Sequence, residues 1–254
     1  MAMPAAADQQ AVLRVEGLRL SYPDRPEVLC GVDLAIGEGE HVGVIGPNGA
    51  GKTTLFLAVC GVVAPSGGSI RLFGEPVRPG RFRSDIGLVF QNPDHQLFCP
   101  TVAEDLAFGP RNLGLPPDVV AARVTEAVAA TGVGELEQFA PHHLSGGEKR
   151  MVSIAAVLAM QPRVMIYDEP TANLDIRSRR RLIRFLQSSS RTRLVASHDL
   201  ELILEVCPRV VLLDEGRVVA DGPSATIMND VRLMERHGLE RPHSLVPHAD
   251  PHHH

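Results

Sequence analysis

Apolar and polar positions alternate, with interruptions, from Val12 to Ile36, as VLRVEGLRLSY and then VLCGVDLAI with the Pro-rich segment YPDRPE between them. Two period-two runs joined by a turn predict an antiparallel β layer. A short apolar run, Val42 to Ile45, then enters a Gly-rich stretch and an apolar helix expected to begin near Lys52. SIRLFG and IGLVF read as two further short strands. The pattern changes at QNPDHQLFCP and is helical from 101 to 160, through VAEDLAFG, PDVVAARVTEAVAATG and SGGEKRMVSIAAVLAM, the last with Ser145 as its N-cap.

RVMIYDEP is a near-continuous apolar run of the kind a parallel strand buried on both faces requires. IRSRRRLIRFLQ, RLVASH and DLELILEVC follow as helix, strand and helix, and RVVLLDEGRVVADG reads as a final hairpin turning at Glu215 and Gly216. Strands alternating with helices of this length predict an α/β fold with a mostly parallel sheet and right-handed crossovers. The predicted organisation is a tail over 1–11, a single domain over 12–223, and a C-terminal helix with a His- and Pro-rich tail over 224–254. Within the domain, 12–91 and 161–223 form the core with its β subdomain, and 92–160 form an inserted helical subdomain. ERPHSLVPHADPHHH has little to bury, so disorder is expected there. Residues 53–70 are an uncharged run long enough to suggest a membrane span, but Gly61, Pro65, Gly67 and Gly68 lie inside it and exclude one.

Composition narrows the class. At 254 residues and 44% hydrophobic the chain can bury a sizeable core. Lys and Arg total 25 against 30 acids, a net charge of -5, so the broad positive field of a nucleic-acid binder is missing and no nucleic-acid partner is expected. The seven Arg between 177 and 193 read as a solvated helix face. MAMPAAADQQ lacks the basic and apolar segments of a secretory signal, which places the chain in the cytoplasm. Cys30, Cys60, Cys99 and Cys207 are widely spaced with no CxxC, so they read as small buried apolar residues.

The strongest chemical signal is GPNGAGKT at 46–53, in which Gly46, Pro47, Asn48, Gly49, Ala50 and Gly51 precede Lys52, Thr53 and Thr54. Glycines at these positions let consecutive backbone N–H groups and a helix N-terminus surround a polyphosphate. Lys52 neutralises the β and γ oxygens, and the Thr53 hydroxyl ligates Mg2+. In VMIYDEP, Asp168 and Glu169 emerge at the carboxyl end of a strand, where ligands bind in open α/β sheets. Asp168 is placed to hold the Mg2+ and Glu169 to polarise the water that attacks the γ-phosphate. The expected cofactors are ATP and Mg2+, on a P-loop NTPase (RecA-like) core.

LSGGEKR at 144–150 lies before VMIYDEPTANLD, with Gln91 after one strand and His198 after another. This constellation resembles the ABC-type ATPases over about 12–222. The resemblance implies that Ser145, Gly146 and Gly147 form the signature loop that caps the nucleotide of the other subunit. It also implies that Gln91 senses Mg2+ and the attacking water, that Asp175 joins the two sites, that His198 senses the γ-phosphate, and that Tyr22 stacks on adenine. Two copies would close head to tail around two ATP, as a homodimer or a heterodimer. Met151 stands where many relatives carry an Arg, and Tyr167 replaces a usual aliphatic residue.

NPDHQLFCPTVAEDLAFGP resembles the segment that ATPases of energy-coupling-factor importers present to their membrane subunit, with Pro93, Asp94 and Gln96 in the matching positions. An exposed acidic patch there could receive an Arg from a membrane partner. The implied partners are an integral membrane coupling subunit and a substrate-binding membrane subunit, with the ATPase peripheral on the cytoplasmic face of the cell membrane. HLSGGEKR with VLAMQP suggests the cobalt or nickel branch. Conventional binding-protein-dependent importers and soluble ABC ATPases are the alternatives. His237, His243, His248 and His252 to His254 suit a transition metal by imidazole chemistry, although a disordered tail is the simpler reading.

Overall fold

The computed structural model describes residues 11–246. β1 (Ala11–Tyr22) and β2 (Arg25–Gly37) form the expected antiparallel pair, with Tyr22 opposite Arg25 across the turn. β3 (His41–Ile45) leads through the Gly-rich loop into α1 (Lys52–Val59), which stops far short of a membrane span where Gly61 takes a left-handed φ of 73°. β4 (Gly67–Leu72) and the two-residue β5 (Glu75–Pro76) join the antiparallel layer, in the order β2-β1-β4-β5. β6 (Ile86–Val89) begins the other sheet. SIRLFG and IGLVF are therefore both strands, but they belong to different sheets.

Between β6 and β7 lie three helices that pack on one another: α2 (Val102–Asn112), α3 (Pro117–Thr131) and α4 (Gly146–Leu158). β7 (Val164–Asp168), α5 (Ile176–Ser188), β8 (Thr192–Ala196) and α6 (Leu200–Val206) then alternate as their patterns require. β9 (Arg209–Asp214) and β10 (Arg217–Pro223) make the closing hairpin. Glu215 and Gly216 both have positive φ, 46° and 69°, which is the geometry a two-residue hairpin turn demands. The second sheet runs β10-β9-β3-β8-β7-β6, with β9, β3, β8, β7 and β6 mutually parallel.

The parallel strands are buried on both faces, and alternation along each strand sends its side chains to two cores. Val164 and Ile166 of β7 join Val42, Val44, Leu194 and α1 beneath the antiparallel layer. Met165 and Tyr167 join α4, α5 and α6 on the opposite face. No described helix is long and apolar enough to cross a membrane.

Two expectations fail. The C-terminal region forms two short helices, α7 (Ser224–Asn229) and α8 (Val231–Arg236), and 240–246 are not disordered. The Ser244 hydroxyl and N–H donate to Glu201 at 2.6 and 3.1 Å, and Leu245 packs against the core. His248 and His252 to His254 lie outside the described residues. Only Cys207 of the four cysteines is fully buried; Cys30, Cys60 and Cys99 are partly exposed free thiols.

Candidate functional site

The Gly-rich loop follows β3 and places its residues at the carboxyl edge of the parallel sheet. Gly46 has φ 150°, and a Cβ there would lie 1.9 Å from the Leu213 carbonyl oxygen, so only glycine permits this approach to β9. The loop is also tied to the hairpin turn, because Gly216 N–H donates to Ala50 O at 3.2 Å. No side chain caps the N-terminus of α1, which leaves its first N–H groups and the positive end of its dipole facing outward. Lys52 is 7% exposed and donates to the Gly46 and Pro47 carbonyls at 2.7 and 3.0 Å. Burial lowers its pKa, opposed by Glu169 and Asp168.

β7 is buried along its whole length and delivers Asp168 and Glu169 to the same edge. Asp168 Oδ2 accepts from the Thr53 hydroxyl at 2.7 Å, while its Oδ1 is buried without a hydrogen-bond partner among the described residues. Glu169 holds a left-handed φ of 45°, a strained conformation for a side chain of this size, with its N–H on Ala196 O at 2.9 Å. Its carboxylate accepts from the His198 N–H at 3.1 Å and lies 3.2 Å from His198 Nε2. Burial raises the pKa of both carboxyls.

These groups line one cavity of about 230 Å3, bounded by Asn48, Gly49, Ala50, Gly51, Lys52, Thr53, Thr54, Gln91, Asp168, Glu169 and His198. A divalent cation suits it. A hydroxyl, a carboxylate with one orphaned buried oxygen and an amide-bearing Gln91 are hard oxygen donors of the type Mg2+ takes. Arg25 and Val28 also line it, and Arg25 Nη2 donates to Gly49 O at 3.0 Å. In the sequence Arg25 was legible only as part of the YPDRPE turn. Tyr22 is not a lining residue of this cavity; it packs partly buried against the core beneath the antiparallel layer.

Ser145, Gly146, Gly147 and Asp175 lie elsewhere. Ser145 caps α4 in a reciprocal box, its N–H and hydroxyl on Glu148 Oε2 at 2.8 and 2.6 Å. Asp175 caps α5 by accepting from the Arg177 and Ser178 N–H groups. The two helix starts touch, since a Cβ on Gly147 would lie 2.1 Å from Ser178 Oγ. Ser145, Gly146, Asp175 and Arg177 are exposed, Gly147, Glu148 and Ser178 are half-buried, and none lines the phosphate-loop cavity.

The segment after Gln91 differs from expectation. Asp94 lies within a 3-10 turn, Pro93–His95, capped by Asn92, and its carboxylate is paired with Lys149 at 2.7 Å. Gln96 points inward, donating to Ser153 O at 3.0 Å and accepting from Phe90 N–H at 3.2 Å. Beside it opens an apolar groove of about 470 Å3, lined by Phe82, Phe98, Phe108, Val157 and Met160. Phe82 and Phe98 are 66% and 63% exposed, so the surface presented here is mainly apolar, not acidic. Met151 is buried among apolar residues, and the arginine that α4 buries is Arg150, one position earlier. His237 is engaged with Asp214 at 2.7 Å, and no metal-binding group of His, Cys, Asp and Glu occurs among the described residues.

The family model described as ABC transporter matches residues 29–172. An ABC transporter ATP-binding protein of Synechocystis is 50% identical over 92% of this chain and 82% of its own length. The energy-coupling factor transporter ATP-binding protein EcfA of Methanothermobacter thermautotrophicus is 45% identical over 91% of this chain and 77% of its own. Among solved structures, CbiO1 of Clostridium perfringens, described as part of the ABC transporter complex CbiONQ, superposes with a TM-score of 0.79 at 35% identity, covering 90% of this chain and 94% of that one. On this fold, with the family model matching more than half of the chain and relatives of 45–50% identity along nearly all of it, the chain belongs to the ABC transporter family as one of its ATP-hydrolysing subunits.

Proposed function

We propose that this chain is the ATPase of an energy-coupling-factor importer, closing head to tail with a second ATPase subunit around two ATP. The observation that carries the dimer is the separation on one chain of the phosphate-loop cavity from the Ser145–Gly147 loop, whose Ser145 and Gly146 are exposed. Neither half encloses a nucleotide alone, and a second copy brings the missing half. Lys52 and the α1 N-terminus hold the phosphates, Glu169 polarises the attacking water, and His198 steadies Glu169 and reads the γ-phosphate. Thr53, Asp168 and Gln91 would hold Mg2+, which when bound neutralises charge developing on the phosphate oxygens. Because ATP favours the closed pair more than ADP does, hydrolysis reopens it and moves the attached membrane subunits.

The apolar groove beside Gln96 is the docking site for the membrane coupling subunit, on the cytoplasmic face of the membrane. Three partly exposed phenylalanines in one groove fit an amphipathic helix laid across it. The relatives named EcfA and the likeness to CbiO1 support the energy-coupling-factor type. HLSGGEKR with VLAMQP supports cobalt or nickel ions as cargo. The test is to trap Glu169→Gln with ATP in its native membranes, purify it and identify the accompanying proteins by mass spectrometry. A multi-span coupling protein with a small membrane-embedded binding protein is expected. A paired permease with a separate binding protein, or no membrane protein, would refute the assignment.

A further inference from the structure

Arg150 is 1% exposed, a strongly disfavoured place for a charge unless its donors are used. Its Nη1 donates to Phe90 O at 2.5 Å and its Nη2 to Gln91 O at 2.6 Å. Burial lowers its pKa to about 10, opposed by the charge of Asp168, so it is a cation at neutral pH. The same stretch of main chain is clamped twice more to α4. Gln96 bridges Phe90 N–H to Ser153 O, and Lys149 pairs with Asp94 at the surface. Residues 90–96 therefore ride on the helix whose first turn is the signature loop.

We propose that Arg150 is a positioning residue that fastens the Gln91 main chain to α4, so that Gln91 in one nucleotide cavity and Ser145–Gly147 against the partner's cavity shift as one body. The inference rests on the roles proposed above for Gln91 and the signature loop. The chemistry favours arginine specifically. A guanidinium fork reaches two successive carbonyls, whereas an ammonium offers one compact point of charge. Arg150→Lys keeps the charge but replaces the rigid fork that holds the Phe90 and Gln91 carbonyls through two separate nitrogens with a shorter, flexible side chain.

The experiment measures steady-state ATPase activity of the purified full-length protein against ATP and against Mg2+, with nucleotide affinity measured separately by a fluorescent ATP analogue. Arg150→Lys is expected to lower kcat by about 10- to 100-fold, as a misplaced reacting group does. KM and nucleotide affinity should stay within about twofold, since the phosphate loop is untouched. The Mg2+ concentration for half-maximal rate should move in the same direction as in Gln91→Ala, a change that a merely structural defect would not produce. In the Gln91→Ala background, Arg150→Lys should add little. Wild-type kcat for Arg150→Lys, or a loss that adds in full to that of Gln91→Ala, overturns the proposal. Wild-type kcat for Gln91→Ala itself overturns the role of Gln91 instead. If Arg150→Lys does not fold, Gln96→Ala loosens the same loop without disturbing a buried charge. A smaller kcat loss with unchanged affinity supports the proposal, and wild-type kinetics for Gln96→Ala count against it.

Discussion

At the scale of single residues, the acid pair is where chemistry and stability oppose each other. Burial raises the folded pKa of Asp168 and Glu169 above their ordinary values. The folded state therefore binds these protons more tightly than the unfolded chain, and stability declines as pH rises from the ordinary carboxylate range through the raised folded values. At neutral pH both charges are a burden on the nucleotide-free fold. Glu169→Gln should accordingly raise the melting temperature of the free protein at pH 7, by about 2–4 °C for each kcal/mol of charge burial relieved. An unchanged or lower melting temperature would show that Glu169 is not strained by its burial. The same substitution should preserve ATP binding while slowing turnover by about 10²- to 10⁴-fold, the range for a lost general base. Lys52→Ala should weaken nucleotide binding itself, which fluorescence titration would measure directly; unaltered affinity would contradict the phosphate-loop assignment. The motif residues were legible because their spacing encodes local backbone geometry. Arg150 was not, since nothing in LSGGEKR says which of its two basic residues turns inward, and only the packing of α4 on β6 decides it.

At the scale of elements, the starts of α4 and α5 form one joint. Gly147 leaves room for Ser178, and Ser178 Oγ donates to Asp175 Oδ2 at 2.9 Å, so the signature loop and the Asp175 turn are mechanically linked. Gly147→Ala places a methyl where Ser178 stands and should lower both the melting temperature and ATPase activity. Ser178→Gly in the same chain should recover part of both, and the absence of any recovery would mean that the two helix starts do not depend on each other. Ser145→Ala removes a helix cap worth about 1 kcal/mol, so a modest stability loss is expected even without nucleotide. The period of each element could be read from the chain, but membership of a sheet could not. SIRLFG and IGLVF have similar patterns, yet β4 pairs with β1 and β6 with β7.

For the molecule as a whole, Ser145–Gly147 do not line the cavity that holds Lys52 and Glu169, so the proposed dimer makes activity a property of the pair. Mixing Lys52→Ala subunits with Ser145→Arg subunits should restore part of the ATPase rate that each lacks alone, because a mixed dimer contains one site with both Lys52 and Ser145 intact. No recovery on mixing would rule out head-to-tail assembly. The rate per subunit should also rise with protein concentration as dimers form.

Much of this was determined by the sequence alone. The α/β pattern, the phosphate loop, the acid pair at the end of β7 and the caps of α4 and α5 are all local or periodic signals, carried by residues within a few positions of one another. The tertiary structure decided what depends on distant neighbours. It turned Gln96 inward, paired the exposed Asp94 with Lys149 and opened an apolar groove beside Gln96. It brought Arg25 onto the phosphate loop and left Tyr22 against the core. It also bound 240–246 to α6 through Ser244 and Glu201, where composition predicted disorder. The physical reason is the same throughout: spacing along the chain encodes backbone conformation, whereas the partner a polar side chain meets is set by packing between elements far apart in sequence.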